Sequence, residues 1–222
     1  MRSKLFRLFY IELLLSVRQP QDWVYPLAFY TVLVSLFPLA LATDPVFLQT
    51  YFSSYIWVAA LLTHLLSVEN TFKFDVEEGY LTQLRISKTP LVIAIYLKLL
   101  VYWLVRQLPI IFITPLLGLL FYLNLHAINY LVLSLTLGSF TFVCIGCLSA
   151  ALTIGLRQSG MLLGLLSIPL LIPILLFGIG MNQQIEQTQT VYACVLLLAG
   201  CAILAFTLLP SAIAAILELS LD

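Results

Sequence analysis

Apolar residues run along this chain in six long blocks, roughly 24–43, 47–68, 91–123, 128–154, 161–181 and 191–217, with polar residues gathered in the gaps. About 20 consecutive apolar residues in a helix cross the ~30 Å hydrocarbon core of a bilayer, so each block predicts a transmembrane α-helix. All of the blocks except the third are free of charged residues. The gaps are short, apart from residues 69–90. The pattern predicts an all-α, polytopic membrane protein with six spans, and a single transmembrane domain over 1–222.

Ahead of the first block stands MRSKLFRLFYIELLLSVRQP. On a helical wheel Lys4, Arg7 and Arg18 share one side, while Leu5, Phe9 and Leu13 lie largely elsewhere. This predicts an amphipathic helix over 1–22 that rests on the membrane surface. Its basic start resembles a signal peptide. Glu12 breaks the apolar run and no small-residue cleavage site comes after it, so the segment reads as retained.

The third block is unusual. A helix over 91–123 is roughly 50 Å long at 1.5 Å per residue, well beyond the membrane core. It carries Lys98 and Arg106, eight positions apart and near one face, with Tyr102 between them. Pro109 and Pro115 come next. The reading is that both cations snorkel to an interface and that the chain enters the membrane at a proline bend. The functional alternative makes Lys98 and Arg106 contacts for an anion at the mouth of a path. In the fifth block Pro169 and Pro173 predict a kink. Gly160-x-x-x-Gly164 and Ala151-x-x-x-Gly155 supply small faces for helix packing.

Only 9% of the 222 residues are charged and 62% are hydrophobic, against roughly 25% charged in soluble domains. Ten Lys plus Arg balance ten Asp plus Glu. No basic patch points to nucleic acid; the bilayer is the first partner. The distribution of cations is informative where their sum is not. Arg2, Lys4, Arg7 and Arg18 precede span one, Lys73, Arg85 and Lys88 lie between spans two and three, and Arg157 lies between spans four and five. The other connecting segments, around Asp44, around His126 and over 181–190, hold neither Lys nor Arg. The positive-inside rule then puts both termini and the 69–90 loop in the cytoplasm.

Residues 69–90, ENTFKFDVEEGYLTQLRISKTP, are the only densely charged stretch. Asp75, Glu77 and Glu78 cluster before Gly79, which permits a sharp bend. Leu81 and Leu84 form a short apolar edge three positions apart. A docking helix for a soluble partner fits this pattern, and so does a solvated loop.

Several chemistries lack their residues. No Gly-x-x-x-x-Gly-Lys-Ser/Thr cradles a nucleotide. No Asp or Glu lies mid-span, where proton-driven transporters and intramembrane aspartyl proteases need one. Nor is there a His-Glu-x-x-His or Gly-x-Ser-x-Gly sequence. His64 and His126 fall on opposite sides and cannot share a metal. Either one alone could ligate haem, or could be an ordinary interfacial residue. Cys144, Cys147, Cys194 and Cys201 all lie in apolar runs. Cys144-x-x-Cys147 has a redox spacing but no neighbouring charge to activate it, and reads as packing. No cofactor or metal ligand is assigned. The remaining picture is a bundle of spans with a charged loop and no energy source of its own.

The sequence resembles the CcmB family, the haem exporter protein B permeases of the cytochrome c maturation ABC transporter. The likeness is carried by FPLA at 37–40, IWVAALL at 56–62 and the block with Glu69, Phe72, Asp75, Gly79, Leu81, Gln83 and Leu84. LPIIFITPLL at 108–117, ALTIGLRQSGMLL at 151–163 and IPLLIPILLFG at 168–178 extend it across the chain. Members usually carry an acidic residue where Thr82 stands. The resemblance implies an ABC exporter permease fold and a location in the bacterial inner membrane. It implies a CcmA-like ATPase, CcmC-like and CcmD-like membrane subunits, and a CcmE-like haem chaperone outside. Haem would be the ligand moved or handled. The chain itself would not be an enzyme. The ATPase-coupling loop would comprise Glu69, Phe72, Asp75, Glu77, Glu78, Gly79, Leu81 and Leu84. The alternative is a scaffold that recruits haem-delivery factors without transport. A membrane enzyme is disfavoured, since no nucleophile–base pair is visible.

Overall fold

The computed structural model describes residues 2–41, 45–68, 71–72, 90–121, 123–154, 159–183 and 188–220, and they form an all-α bundle. Helix α1 is Arg2–Arg18, α2 is Gln21–Leu41 and α3 is Pro45–Val68. Helix α4, Leu91–Tyr102, passes through a wide π-turn at Trp103–Gln107 into α5, Leu108–Leu120. Helices α6, Leu125–Leu152, α7, Ser159–Gln183, and α8, Thr188–Ser220, complete the chain. Six helical columns are long and apolar enough to cross a membrane: Gln21–Leu39, Gln49–Val68, Leu91–Leu120, Leu125–Leu152, Gly160–Met181 and Val191–Leu219. They coincide with the six blocks read from the sequence to within a few residues.

The π-turn stands where the sequence predicts a proline bend. Pro109 has no N–H, and its ring crowds the carbonyl four residues back. Widening the preceding turn relieves that clash: the Leu108 N–H bonds to the Trp103 carbonyl, five residues back, and α5 then continues. Helix α7 runs through Pro169 and Pro173 without a break.

Helix α1 packs along α4 and the π-turn, with Leu8 against the core. Its outer side exposes Phe6, Tyr10, Ile11, Leu15 and Val17. The elbow into α2 is tightened by Trp23 Nε1, which donates to the Val17 carbonyl at 3.4 Å.

Helix α6 is the axis of the bundle and touches α3, α4, the π-turn, α5, α7 and α8. Its small residues let neighbours approach, and its hydroxyls turn back on their own helix: Thr136 Oγ1 bonds the Val132 carbonyl and Thr153 Oγ1 the Ser149 carbonyl. One approach is especially close. Trp57 of α3 is fully buried against Gly138 of α6 and Gly178 of α7. A Cβ on Gly138 would sit 2.2 Å from Trp57 Cη2, and one on Gly178 would sit 2.1 Å from Cζ2.

The buried apolar residues fall into two cores. One contains Val68, Phe72, Leu99, Tyr102, Val143, Cys144, Cys147, Leu163 and Leu217, at the end of the bundle from which residues 69–90 emerge. The other contains Tyr30, Phe52, Trp57, Ile111, Phe142, Leu171 and Met181 and extends to the opposite end. Among the described residues, Leu65 and Trp103 pack against both.

Candidate functional site

The seam between the two cores is polar. Helix α3 brings His64 and Ser67 to it, α4 brings Tyr102, the π-turn brings Arg106 and Gln107, and the first turn of α2 brings Asp22. His64 is fully buried, its ring tilted on Phe142 of one core (centroids 5.8 Å) and edge-on to Tyr102 of the other (6.2 Å). Gln107 Nε2 donates to His64 Nδ1 at 2.9 Å, which places the proton of a neutral ring on Nε2. On Gly146, an added Cβ would stand 2.3 Å from Nε2, so this buried nitrogen faces α6.

Arg106 joins three elements. Its NH1 donates to the Ser67 carbonyl at 2.6 Å and its NH2 to Asp22 Oδ2 at 2.7 Å. The guanidinium lies 4.5 Å from the Tyr102 ring centroid, and Tyr102 Oη donates to Ser67 Oγ at 3.0 Å. The Arg106 side chain is 10% exposed and that of Asp22 20%. Ser67 lies in the last turn of α3, where carbonyls lack helical partners, and Asp22 lies at the N-terminus of α2, where the helix dipole favours an anion. The pair is partly buried, so removing Asp22 leaves the Arg106 charge short of a partner in a largely apolar setting.

These contacts correct the snorkelling reading of Arg106. Counting at 3.6 residues per turn places Arg106 near the face of Lys98. Arg106 lies within the π-turn and is turned inward, to the Ser67 carbonyl and Asp22. Lys98 remains half-buried, its Nζ 5.5 Å from the centroid of the Phe72 ring.

Among the coupling-loop residues named from the sequence, Phe72 is described. It is 1% exposed, packed in the core beside Val68, Ala94 and Leu99, and so anchors the root of the loop within the chain. Thr71 N bonds the Val68 carbonyl at 3.1 Å. Glu69, Asp75, Glu77, Glu78, Gly79, Leu81 and Leu84 lie outside the described residues. Cys144 and Cys147 of α6 are both buried in the core that holds Val68 and Phe72. His126 is exposed in the first turn of α6.

Sequence reasoning does not reach Asp22, Ser67 or Gln107. The available signal is Arg106 itself. A cation within an apolar span needs a partner, and Asp22 is the nearest unassigned carboxylate ahead of the spans.

The family described as CcmB protein matches residues 3–220. The chain is a member of that family. Among its relatives are the proteins called heme exporter protein B in Pseudomonas aeruginosa, 40% identical over 209 residues and 94% of each chain, and in Haemophilus influenzae, 38% identical over 211 residues, 95% of this chain and 96% of the other. The Escherichia coli K12 protein of the same description is 35% identical over 221 residues, 98% of this chain and 99% of the other. The CcmB match thus takes in the six spans, the 69–90 segment and the polar seam together. This CcmB-family chain is a multi-pass membrane protein.

Proposed function

We propose that this chain is the membrane permease of a haem-export system, driven by a separate CcmA-like ATPase that docks on residues 69–90. Full-length membership of the CcmB family carries the reading. The sequence has no P-loop, so the energy source belongs to another subunit. The cation distribution supports an orientation with both termini and the loop on the cytoplasmic side. The ATPase seats Leu81 and Leu84 in a groove and pairs basic residues with Asp75, Glu77 and Glu78. Phe72 and Val68 fix one root of the loop in the core and Pro90–Leu91 lead directly into α4, so motion of the loop passes to α3 and α4. CcmC-like and CcmD-like subunits sit beside the bundle. The movement ends in export of haem or release of a haem-loaded CcmE-like chaperone on the far side.

The test is charge reversal in the loop. Asp75→Lys with Glu78→Lys sets like charge against a basic groove, costing several kcal/mol for a buried contact, on the order of 2–5. The ATPase fails to co-purify and mature c-type cytochromes disappear, with the chain still inserted in the membrane. Wild-type recovery of the ATPase by the doubly reversed chain refutes acidic docking.

A further inference from the structure

An arginine, an aspartate, a histidine and a glutamine are a costly set to keep between two apolar cores, and the docking reading uses none of them. Arg106 stands at their centre. It sits on the π-turn, a wide turn that often marks functional sites in helices. It grips the last turn of α3 through the Ser67 carbonyl and the first turn of α2 through Asp22. Ser67 directly precedes Val68, the root of the 69–90 segment. The contacts run in series from loop root to α3, to Arg106, to α2.

The arrangement also leaves donors unused. Arg106 Nε and Thr71 Oγ1 are buried without hydrogen-bond partners. A buried, unsatisfied donor weakens the state that contains it relative to one in which it is paired. Arg106 lies on the π-turn and Thr71 at the loop root, and the seam lies where the two cores meet. A two-state element needs such a boundary.

We propose that Arg106 is the positioning residue of a clasp that couples the 69–90 segment to α2. In the clasped state its two terminal nitrogens hold Ser67 and Asp22 together. Displacement of the loop root draws the Ser67 carbonyl away, the guanidinium reorients, and the first turn of α2 is released from the last turn of α3. The rigid fork of arginine suits this role, because a lysine ammonium cannot hold two acceptors in the same geometry. The proposal rests on the coupling reading above.

The experiment measures backbone amide exchange in the full chain in nanodiscs, alone and with its ATPase. Nucleotide raises exchange across 21–27 by about tenfold or more in the wild-type complex. Asp22→Asn and Arg106→Lys each raise it without nucleotide, while α6 stays protected and the ATPase still co-purifies. Mature cytochrome formed per ATP hydrolysed then falls about tenfold. Ser67→Ala retains the carbonyl and behaves as wild type. Unchanged exchange over 21–27 in both variants overturns the clasp. So does loss of α6 protection in step with coupling, which would make the pair merely structural. If the wild-type chain fails to bind the ATPase, the coupling reading falls, and exchange in the two variants alone still decides whether the clasp exists.

Discussion

Substituting Gly138 or Gly178 with alanine sets a methyl group into the ring of Trp57. The added Cβ would lie 2.2 Å from Cη2 in the first case and 2.1 Å from Cζ2 in the second. Carbon atoms in contact stand about 3.5–4.0 Å apart, so the indole must move by roughly 1.3–1.9 Å. Trp57 is fully buried and has no open side to move toward. Overpacking of this kind costs about 1–3 kcal/mol. Alanine recovers part of that through helix propensity, about 0.5–1 kcal/mol over glycine. Overpacking outweighs this over most of the range, by up to about 2.5 kcal/mol, and the melting temperature falls by up to about 10 °C for a chain of this size. The assay is a thermal melt in detergent with a thiol-reactive dye, since the buried Cys144 reports loss of packing. Trp57→Phe removes the atoms that collide, so adding it to Gly138→Ala restores part of the loss, with a coupling of about 0.5–3 kcal/mol in a double-mutant cycle. A raised melting temperature for Gly178→Ala, or strict additivity with Trp57→Phe, would refute the slot.

Reporter fusions at residue 45 and near 126 and 185 read periplasmic and those near 78 and 158 cytoplasmic; two loops on the wrong side remove the orientation on which ATPase docking depends. Replacing Cys144 and Cys147 together with alanine leaves cytochrome c maturation nearly intact, and loss of maturation at normal protein level would show a redox or ligand role for the pair.

The spans are legible in the sequence because a bilayer imposes a coarse rule, about 20 apolar residues per crossing, that survives any detail of packing. A helix ahead of the first span is legible too, from the one-sided placement of Lys4, Arg7 and Arg18. The seam is harder to see. Nothing in Trp103–Gln107 breaks a helix, and Pro109 signals a distortion without saying whether it is a bend or a wider turn. The local pattern does not show that Arg106 meets Asp22, 84 residues away in the chain. The first apolar block begins near residue 24, which leaves Asp22 at the edge of the surface helix, whereas α2 starts at Gln21. The Trp57 slot joins positions 81 and 121 residues apart, and local pattern carries no trace of such contacts. Phe72 reads as part of an outward-facing loop because its neighbours are charged; its burial depends on α4 folding back over it.

Whether this chain transduces the work of an ATPase, or only gathers assembly factors, is decided most directly by pairing the wild-type chain with a partner ATPase that binds ATP but cannot hydrolyse it. For a transducer, the complex still assembles and co-purifies, while mature c-type cytochromes fall to background. Normal levels of mature cytochrome with the hydrolysis-dead partner would contradict transduction and leave the chain as a scaffold.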